Sequence, residues 1–316
     1  MIGTYIDESE RKLQEKGIAS RYSGARGNSP RITREYNDSL LIEMRVIDSV
    51  RASTKFKLFG AEFSMPVMTA ALSSLDNVYP GGMVELARGA AAADAVMWAG
   101  IGDEKELAAM TATGAKTIKI VKPYADHDQV YEKLAQVEKH GAFATGMDID
   151  FVFGNRLKRG YAMSYPVGPK TLNDLKGFVK ATKLPFILKG VLSEKDAVKA
   201  LEAGAAGIVV SHHGGGVLDY AAPPLMVLPR IVKVIGGQIP IFVDCGMASG
   251  ADVFKALALG ANAVCIGRAV MGGLASEGAE GVRQILAGIN EELRDLMSLT
   301  GAPDLQSIDP EVILHL

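Results

Sequence analysis

Cysteine is scarce in this chain: only Cys245 and Cys265 occur, each inside an apolar run, and no metal-ligand spacing involves them. A disulfide scaffold is thereby excluded, and both thiols read as buried groups of a reducing compartment. Aromatic residues are also few, at 6% with a single tryptophan, Trp98, and neither sign of charge is in real excess, the formal net charge being -2. Such a balance carries no electrostatic footprint for nucleic acid or for an anionic membrane surface. No apolar run approaches the roughly 20 residues that span a bilayer. The opening MIGTYIDESERKLQEKGIA lacks the basic head and apolar centre of a secretory signal. The expectation is a soluble cytoplasmic protein that handles small molecules.

What the chain has is glycine, 35 residues of it, and 48% hydrophobic residues, which together indicate a well-filled core with many tight turns between strands and helices. Residues 1–64 read as an N-terminal extension. It holds a short amphipathic helix around Ile6 and Leu13, a turn-rich piece over 23–30 and a mixed segment; its Arg21, Arg26, Arg31 and Arg34 suit a solvated face rather than the lining of a pocket, which is the alternative. From residue 66 onward short apolar runs alternate with segments of helical periodicity. The runs are 66–71, 95–100, 117–122, 142–150, 185–191, 207–213, 240–246 and 263–268. Helices are predicted over 82–92, 104–113, 128–139, 171–182, 193–203, 224–235 and 250–259, with a final long one over 277–299. Ser193 followed by Glu194 and Asp196 marks a helix start, and Gly204 a helix end.

Regular alternation of strand and helix implies a parallel sheet with right-handed crossovers, and eight such units imply closure. The fold class expected is α/β, a (β/α)8 TIM barrel with an N-terminal helical extension: one domain, with a barrel over 65–300 and a cap over 301–316. A doubly wound open sheet is the alternative. In a barrel, functional side chains collect where the strands end and the loops begin. The polar residues obey that rule: Lys119 and Lys122 on the third strand, Asp148 and Asp150 on the fourth, Lys189 on the fifth, Ser211, His212 and His213 on the sixth, Asp244 on the seventh and Arg268 on the eighth. Lys189 lies in so apolar a strand that it needs an anionic partner. That partner is a carboxylate such as Asp148 or Asp244, a Schiff-base substrate, or an electron-rich cofactor edge. The loops after strands seven and eight, with Gly246, Gly267 and Arg268, have the composition of a phosphate site.

These residues carry a resemblance. LKGV at 188–191, GIVVSHHGGGVLDY at 207–220, PIFVDCGMASGADVFKALALGANAV at 240–264 and IGRAVMGGLASEGAEGV at 266–282 resemble the FMN-dependent α-hydroxy acid oxidases and dehydrogenases, with weaker similarity upstream through PVMTAA at 66–71. The family's corresponding motifs read V-S-N-H-G-G-R-Q-L-D and D-G-G-V-R-x-G-x-D-V-x-K-A-L-A-L-G-A. The resemblance implies FMN as cofactor, His213 as the active-site base, Asp148 as the carboxylate that orients it, and Lys189 as the cation facing the reduced flavin. It further implies cofactor contacts from Ala70, Ala71, Lys119, Ser211, Asp244, Gly246, Gly267 and Arg268. Substrate contacts fall to His212, Gly216 and Arg156; no metal is implied. It also implies a homo-oligomer and an electron acceptor, oxygen or another.

Several positions depart from the family pattern. Gly216 replaces the arginine that grips the substrate carboxylate, and Ala248 replaces a second arginine. Val121 stands for a tyrosine, Lys119 for a glutamine, Gly146 for a threonine and His212 for an asparagine. Losing a charged carboxylate contact costs about 1.5–3 kcal/mol of binding, so the substrate expected is larger or less anionic than a small 2-hydroxy acid. Arg156, Lys158, Arg159 or Lys119 are the candidates to compensate. The reading is an FMN oxidoreductase that takes hydride from a carbon bearing a hydroxyl or amine. Its alternatives are a non-redox isomerase using reduced FMN and an FMN-binding protein without catalysis.

Overall fold

The computed structural model describes residues 11–15, 17, 27–153 and 165–316. Residues 11–15 are helical, with Leu13 buried. The extension continues as helix α1 (Ser29–Ser39), which opens on Ser29-Pro30, a proline position that costs the helix no hydrogen bond. Strand β1 (Leu40–Ile42) follows, then a hairpin of β2 (Phe56–Leu58) and β3 (Ala61–Phe63). The hairpin turns at Phe59-Gly60, both with positive φ (45° and 81°), as a two-residue turn requires. Phe56, Leu58 and Phe63 pack into the same buried cluster as Met68, Trp98, Ile118 and Phe242, so the hairpin plugs one end of the barrel.

The barrel strands are β4 (Val67–Thr69), β5 (Met97–Ala99), β6 (Thr117–Val121), β7 (Ala144–Asp148), β8 (Phe186–Val191), β9 (Gly207–Val210), β10 (Ile241–Val243) and β11 (Ala263–Ile266). They are the eight apolar runs of the sequence, and all pair in parallel in the order β4-β11-β10-β9-β8-β7-β6-β5. The two ends of that order meet: Thr69 N–H donates to the Val96 carbonyl at 3.2 Å, and Leu72 bridges to Ala99. Closure excludes the open doubly wound sheet.

Around the strands stand α2 (Gly82–Ala92), α3 (Glu104–Thr111), α4 (His127–Lys139), α5 (Leu172–Lys180), α6 (Glu194–Ala203), α7 (Pro224–Ile235), α8 (Gly250–Ala258) and α9 (Arg268–Leu299). Ser193 caps α6 by accepting from the Asp196 N–H, and Gly204 ends it at φ 80°. The last helix begins nine residues earlier than expected, because Arg268–Leu299 is one assignment across a break at Glu277-Gly278. A side chain at Gly278 would strike the Tyr79 ring, which leaves glycine to make the bend. Strand β12 (Ile313–His315) pairs antiparallel with β1, so the chain's last strand fastens the extension.

Two apolar layers result. Side chains alternate along each strand between the barrel interior and the helix side. Ile118, Ile120 and Ala144 face the interior cluster, whereas Val121 and Met147 face the helices. This parity decides which polar side chains reach the mouth.

Candidate active site

Interior-facing positions at the carboxyl ends of β6, β7 and β8 bring Lys122, Asp148 and Lys189 together, all buried. Lys122 Nζ donates to Asp148 Oδ2, and Lys189 Nζ lies 3.1 Å from Asp148 Oδ1 and 3.6 Å from Asp244 Oδ2. Burial pushes the Asp148 carboxyl up, but Lys122, Lys189 and His213 outweigh it and hold the group well below the usual carboxylate range. Burial likewise opposes the charge on Lys189, and Asp148, Asp244 and Asp150 reverse that and raise it. The lysine in the apolar strand therefore has carboxylate partners and stays an ammonium; a Schiff-base role, which needs a depressed lysine, is disfavoured.

His213 opens the one-turn helix His213–Gly215 after β9 and has φ 53°, a left-handed backbone that only its surroundings hold in place. Its N–H donates to Ser211 Oγ at 3.0 Å. The imidazole Nδ1 lies 3.2 Å from Asp150 Oδ1 and 3.7 Å from Asp148 Oδ1. Phe151 leans on the ring at 5.4 Å between centroids, and Lys122 Nζ sits 4.5 Å from the Phe151 ring centre. With Nδ1 taken, Nε2 is the nitrogen left to accept a proton. Asp148, Asp150 and His213 offer ligand atoms within 4.8 Å of one another. The ammonium groups of Lys122 and Lys189 already bring two positive charges to Asp148, however, and disfavour a cation there.

Asp244 ends β10 beside Lys189. Cys245, at φ 70° where the family motif has glycine, donates to Asp244 Oδ1 at 2.9 Å, accepts the Gly214 N–H at 3.1 Å and lies 3.6 Å from Ser211 Oγ. Burial, then Asp244, pushes its thiol up, so it is held protonated. Gly246, Gly267 and Arg268 lie where expected, in the loops after β10 and β11, and Arg268 is the first residue of α9. The Gly246 carbonyl accepts from Arg34 at 3.2 Å and Asn37 at 3.4 Å, and a Cβ at Gly246 would meet Thr33 at 2.8 Å. Helix α1 thus lies directly on this loop. Arg34 also forks onto the buried Asp252 at 2.9 and 3.1 Å, so it is a seam residue rather than part of a solvated face.

Two expected site residues are placed otherwise. Lys119 points to the helix side of β6, because it has the opposite parity to Ile118 and Ile120; its Nζ is buried toward Glu106, near Gly102. Burial lowers it to about 8. The inward lysine is Lys122, which shares the parity of Ile118 and Ile120. His212 is buried and has both nitrogens engaged: Nε2 with Thr33 Oγ1 at 2.8 Å, and Nδ1 accepting the Gly215 N–H at 3.0 Å. It fastens α1 to the barrel and leaves no nitrogen for a substrate. Arg156, with Lys158 and Arg159, lies outside the described residues. Gly216 is half-buried, and among the described residues a Cβ there would meet the His213 carbonyl at 3.3 Å. Asp150 and Lys122 are the residues that sequence reasoning left without a role, although strand parity marks Lys122.

A nitrogen base beside a buried ammonium, with a helix N-terminus at the same barrel mouth, has the division of labour of a flavin oxidoreductase. The sequence profile of the FMN-dependent dehydrogenases matches residues 10–172 and 166–315, and the chain belongs to that family. A 2-hydroxyacid oxidase of Dictyostelium discoideum is 48% identical over 143 residues, which span 45% of this chain and 37% of that protein. Glycolate oxidase 3 of Arabidopsis thaliana is 32% identical over 301 residues, covering 83% of this chain and 81% of the relative. The crystal structure of mandelate oxidase with (S)-2-phenylpropionate superposes with a TM-score of 0.89 at 29% identity, covering 98% of each chain.

The residues present fit FMN. Half-buried Ala70 and Ala71 flank the mouth, and a Cβ on Gly267 would approach nothing closer than Ala70 at 3.6 Å, so this wall is smooth enough for a flat ring. Gly267 has no side chain to crowd the α9 N-terminus, where an anionic phosphate is stabilised. Lys189 supplies a lasting positive charge toward which a reduced, anionic ring is drawn.

Proposed function

We propose that the protein oxidises the hydroxyl-bearing carbon of a 2-hydroxy acid whose substituent is bulkier than that of glycolate, and that Lys122 holds the carboxylate. The observation that carries this reading is the inward turn of Lys122 at the end of β6, beside the Asp148–His213 cluster. An ammonium has three donors. Asp148 takes one, and the others are available to a substrate anion. The missing side chain at Gly216 supports a wider pocket than an arginine there would leave.

In the reaction His213 Nε2 takes the hydroxyl proton. Asp148 and Asp150 stabilise the imidazolium that results, and Lys189 keeps positive charge in the mouth. Bound FMN supplies the acceptor for the hydride leaving the carbon, and oxygen or another oxidant carries the electrons away. The product is the 2-oxo acid. We further propose a homo-oligomer; the exposed apolar side chains Leu41, Ile47 and Leu314 on and near the β1–β12 pair support it.

The test compares a 2-hydroxy acid with its uncharged amide. Lys122→Met is expected to raise KM for the acid by about 10–150-fold, the worth of one charged hydrogen bond, and to leave KM for the amide nearly unchanged. Equal effects on both, or none on the acid, contradict the assignment.

A further inference from the structure

Asp148 stands at the position from which the family's base is oriented, yet in this chain it is committed elsewhere. Both its oxygens face ammonium groups, Oδ2 bonded to Lys122 and Oδ1 at 3.1 Å from Lys189, and the His213 ring nitrogen lies 3.7 Å away, beyond hydrogen-bond reach. The carboxylate that does reach His213 Nδ1, at 3.2 Å, belongs to Asp150. We propose that Asp150 is the positioning residue for the base: it fixes the Nδ1–H tautomer of His213 and aims Nε2 at the substrate. This inference rests on the reading of His213 as the proton acceptor.

Three further observations support it. The strand opposite is built to admit this side chain, because Gly190 on β8 has φ 97° and any Cβ there would fall 2.4 Å from Asp150 Cγ. Asp150 is mostly buried, with 13% of its side chain exposed, and its Oδ2 has no hydrogen-bond partner among the described residues. Its charge is therefore directed at the ring rather than spent on the backbone. Finally, Phe151, the next residue, packs on the same imidazole, so one short segment supplies both the hydrogen bond and the packing that hold it.

The division follows from charge. Lys122 adds a second ammonium to Asp148, and a carboxylate shared between two ammonium groups attracts an imidazolium less than a free one does. Asp150 restores the attraction. Among the described residues, the charged and titratable groups around His213 are Asp148 and Asp150 at the end of β7, Lys122 of β6 behind Phe151, Lys189 of β8, His212 beside it, and Asp244 with Cys245 after β10.

The experiment is an NMR titration of His213 in the resting, FMN-loaded protein carrying isotope-labelled histidine, with His213→Asn used to assign the signal. In Asp150→Asn the midpoint of the His213 titration is expected to fall by about one unit or more, as loss of a carboxylate within hydrogen-bond distance requires. The Nδ1–H tautomer loses its dominance in Asp150→Ala. In the paired variant Asp148→Asn/Lys122→Met, which removes opposite charges together, the midpoint moves less. Turnover in Asp150→Asn falls on the order of 100-fold in kcat/KM, with the acid limb of the profile displaced to lower pH. An unchanged midpoint and tautomer in both Asp150 variants, or a larger shift in the paired variant, overturns the proposal. A wild-type protein that turns over no hydroxy acid counts against the proposed reaction, whereas the titration judges Asp150 by itself.

Discussion

Asp148 is buried between two ammonium groups, those of Lys122 and Lys189. Replacing it by asparagine keeps the shape but takes from the buried Lys122 the carboxylate it bonds and leaves Lys189 with Asp244 and Asp150. Breaking a buried ion pair in this way costs about 3–5 kcal/mol. Because Lys122 and Lys189 hold the folded-state carboxyl below its unfolded value, the stability it contributes is present above the unfolded pKa and is lost as pH falls through the folded one. Denaturant titrations of Asp148→Asn should show the full deficit at neutral pH and a narrowing gap below about pH 4. At this scale the sequence was partly legible. His213, Asp148, Lys189 and Asp244 stood out because charged residues at apolar strand ends need partners, and the structure brings them together. His212 misled: two adjacent histidines at a strand end look alike in sequence, but one faces the mouth and the other faces α1, and only the tertiary contact with Thr33 separates them.

Strand parity is where an element decides chemistry. β6 reads Thr-Ile-Lys-Ile-Val, with Lys122 next, and a one-residue slip exchanges which lysine faces the flavin side. The interior positions Ile118 and Ile120 put Lys122 inward and Lys119 on the helix side. Among the described residues Lys119 Nζ, on the helix side, has no hydrogen-bond partner, and neither has Glu106 Oε2. Burial lowers the lysine to about 8 and pushes the glutamate up, so both charges destabilise the fold at neutral pH. Lys119→Met combined with Glu106→Gln should therefore stabilise by about 1–3 kcal/mol at pH 7, as replacement of poorly satisfied buried charges does. The sign with pH follows from the depressed lysine: the unfolded chain binds the extra proton between about 8 and 10.5, so the wild type recovers as pH rises through that window and the gain shrinks. Thermal melts across it check this, and a destabilised double variant at pH 7 would show that Lys119 has a partner it needs. Helix boundaries were legible to within a residue or two because their caps are local; the break inside α9 was not, since only Tyr79 and the facing helix explain it.

Over the whole molecule, closure of the barrel was readable from eight repeats, and the family follows from motifs carried by its later strands. The way the extension docks was not readable, although a helix around Leu13 was. Its parts are short and polar in sequence, and they acquire structure by fitting surfaces that the barrel provides: the hairpin under the interior cluster, and α1 across the loops after β9 and β10 through Thr33, Arg34 and Asn37. That seam sets the shape of the mouth in which His213 works. The central claim is that this mouth oxidises hydroxy acids with His213 as base. It is tested most directly by mixing the FMN-loaded protein, without oxygen, with a series of 2-hydroxy acids of increasing substituent size and following the flavin absorbance. The account predicts bleaching with the bulkier acids in the wild type and at least ~100-fold slower bleaching in His213→Asn, which still holds FMN. Flavin that stays oxidised in the wild type with every acid, or bleaches equally fast in His213→Asn, would contradict it.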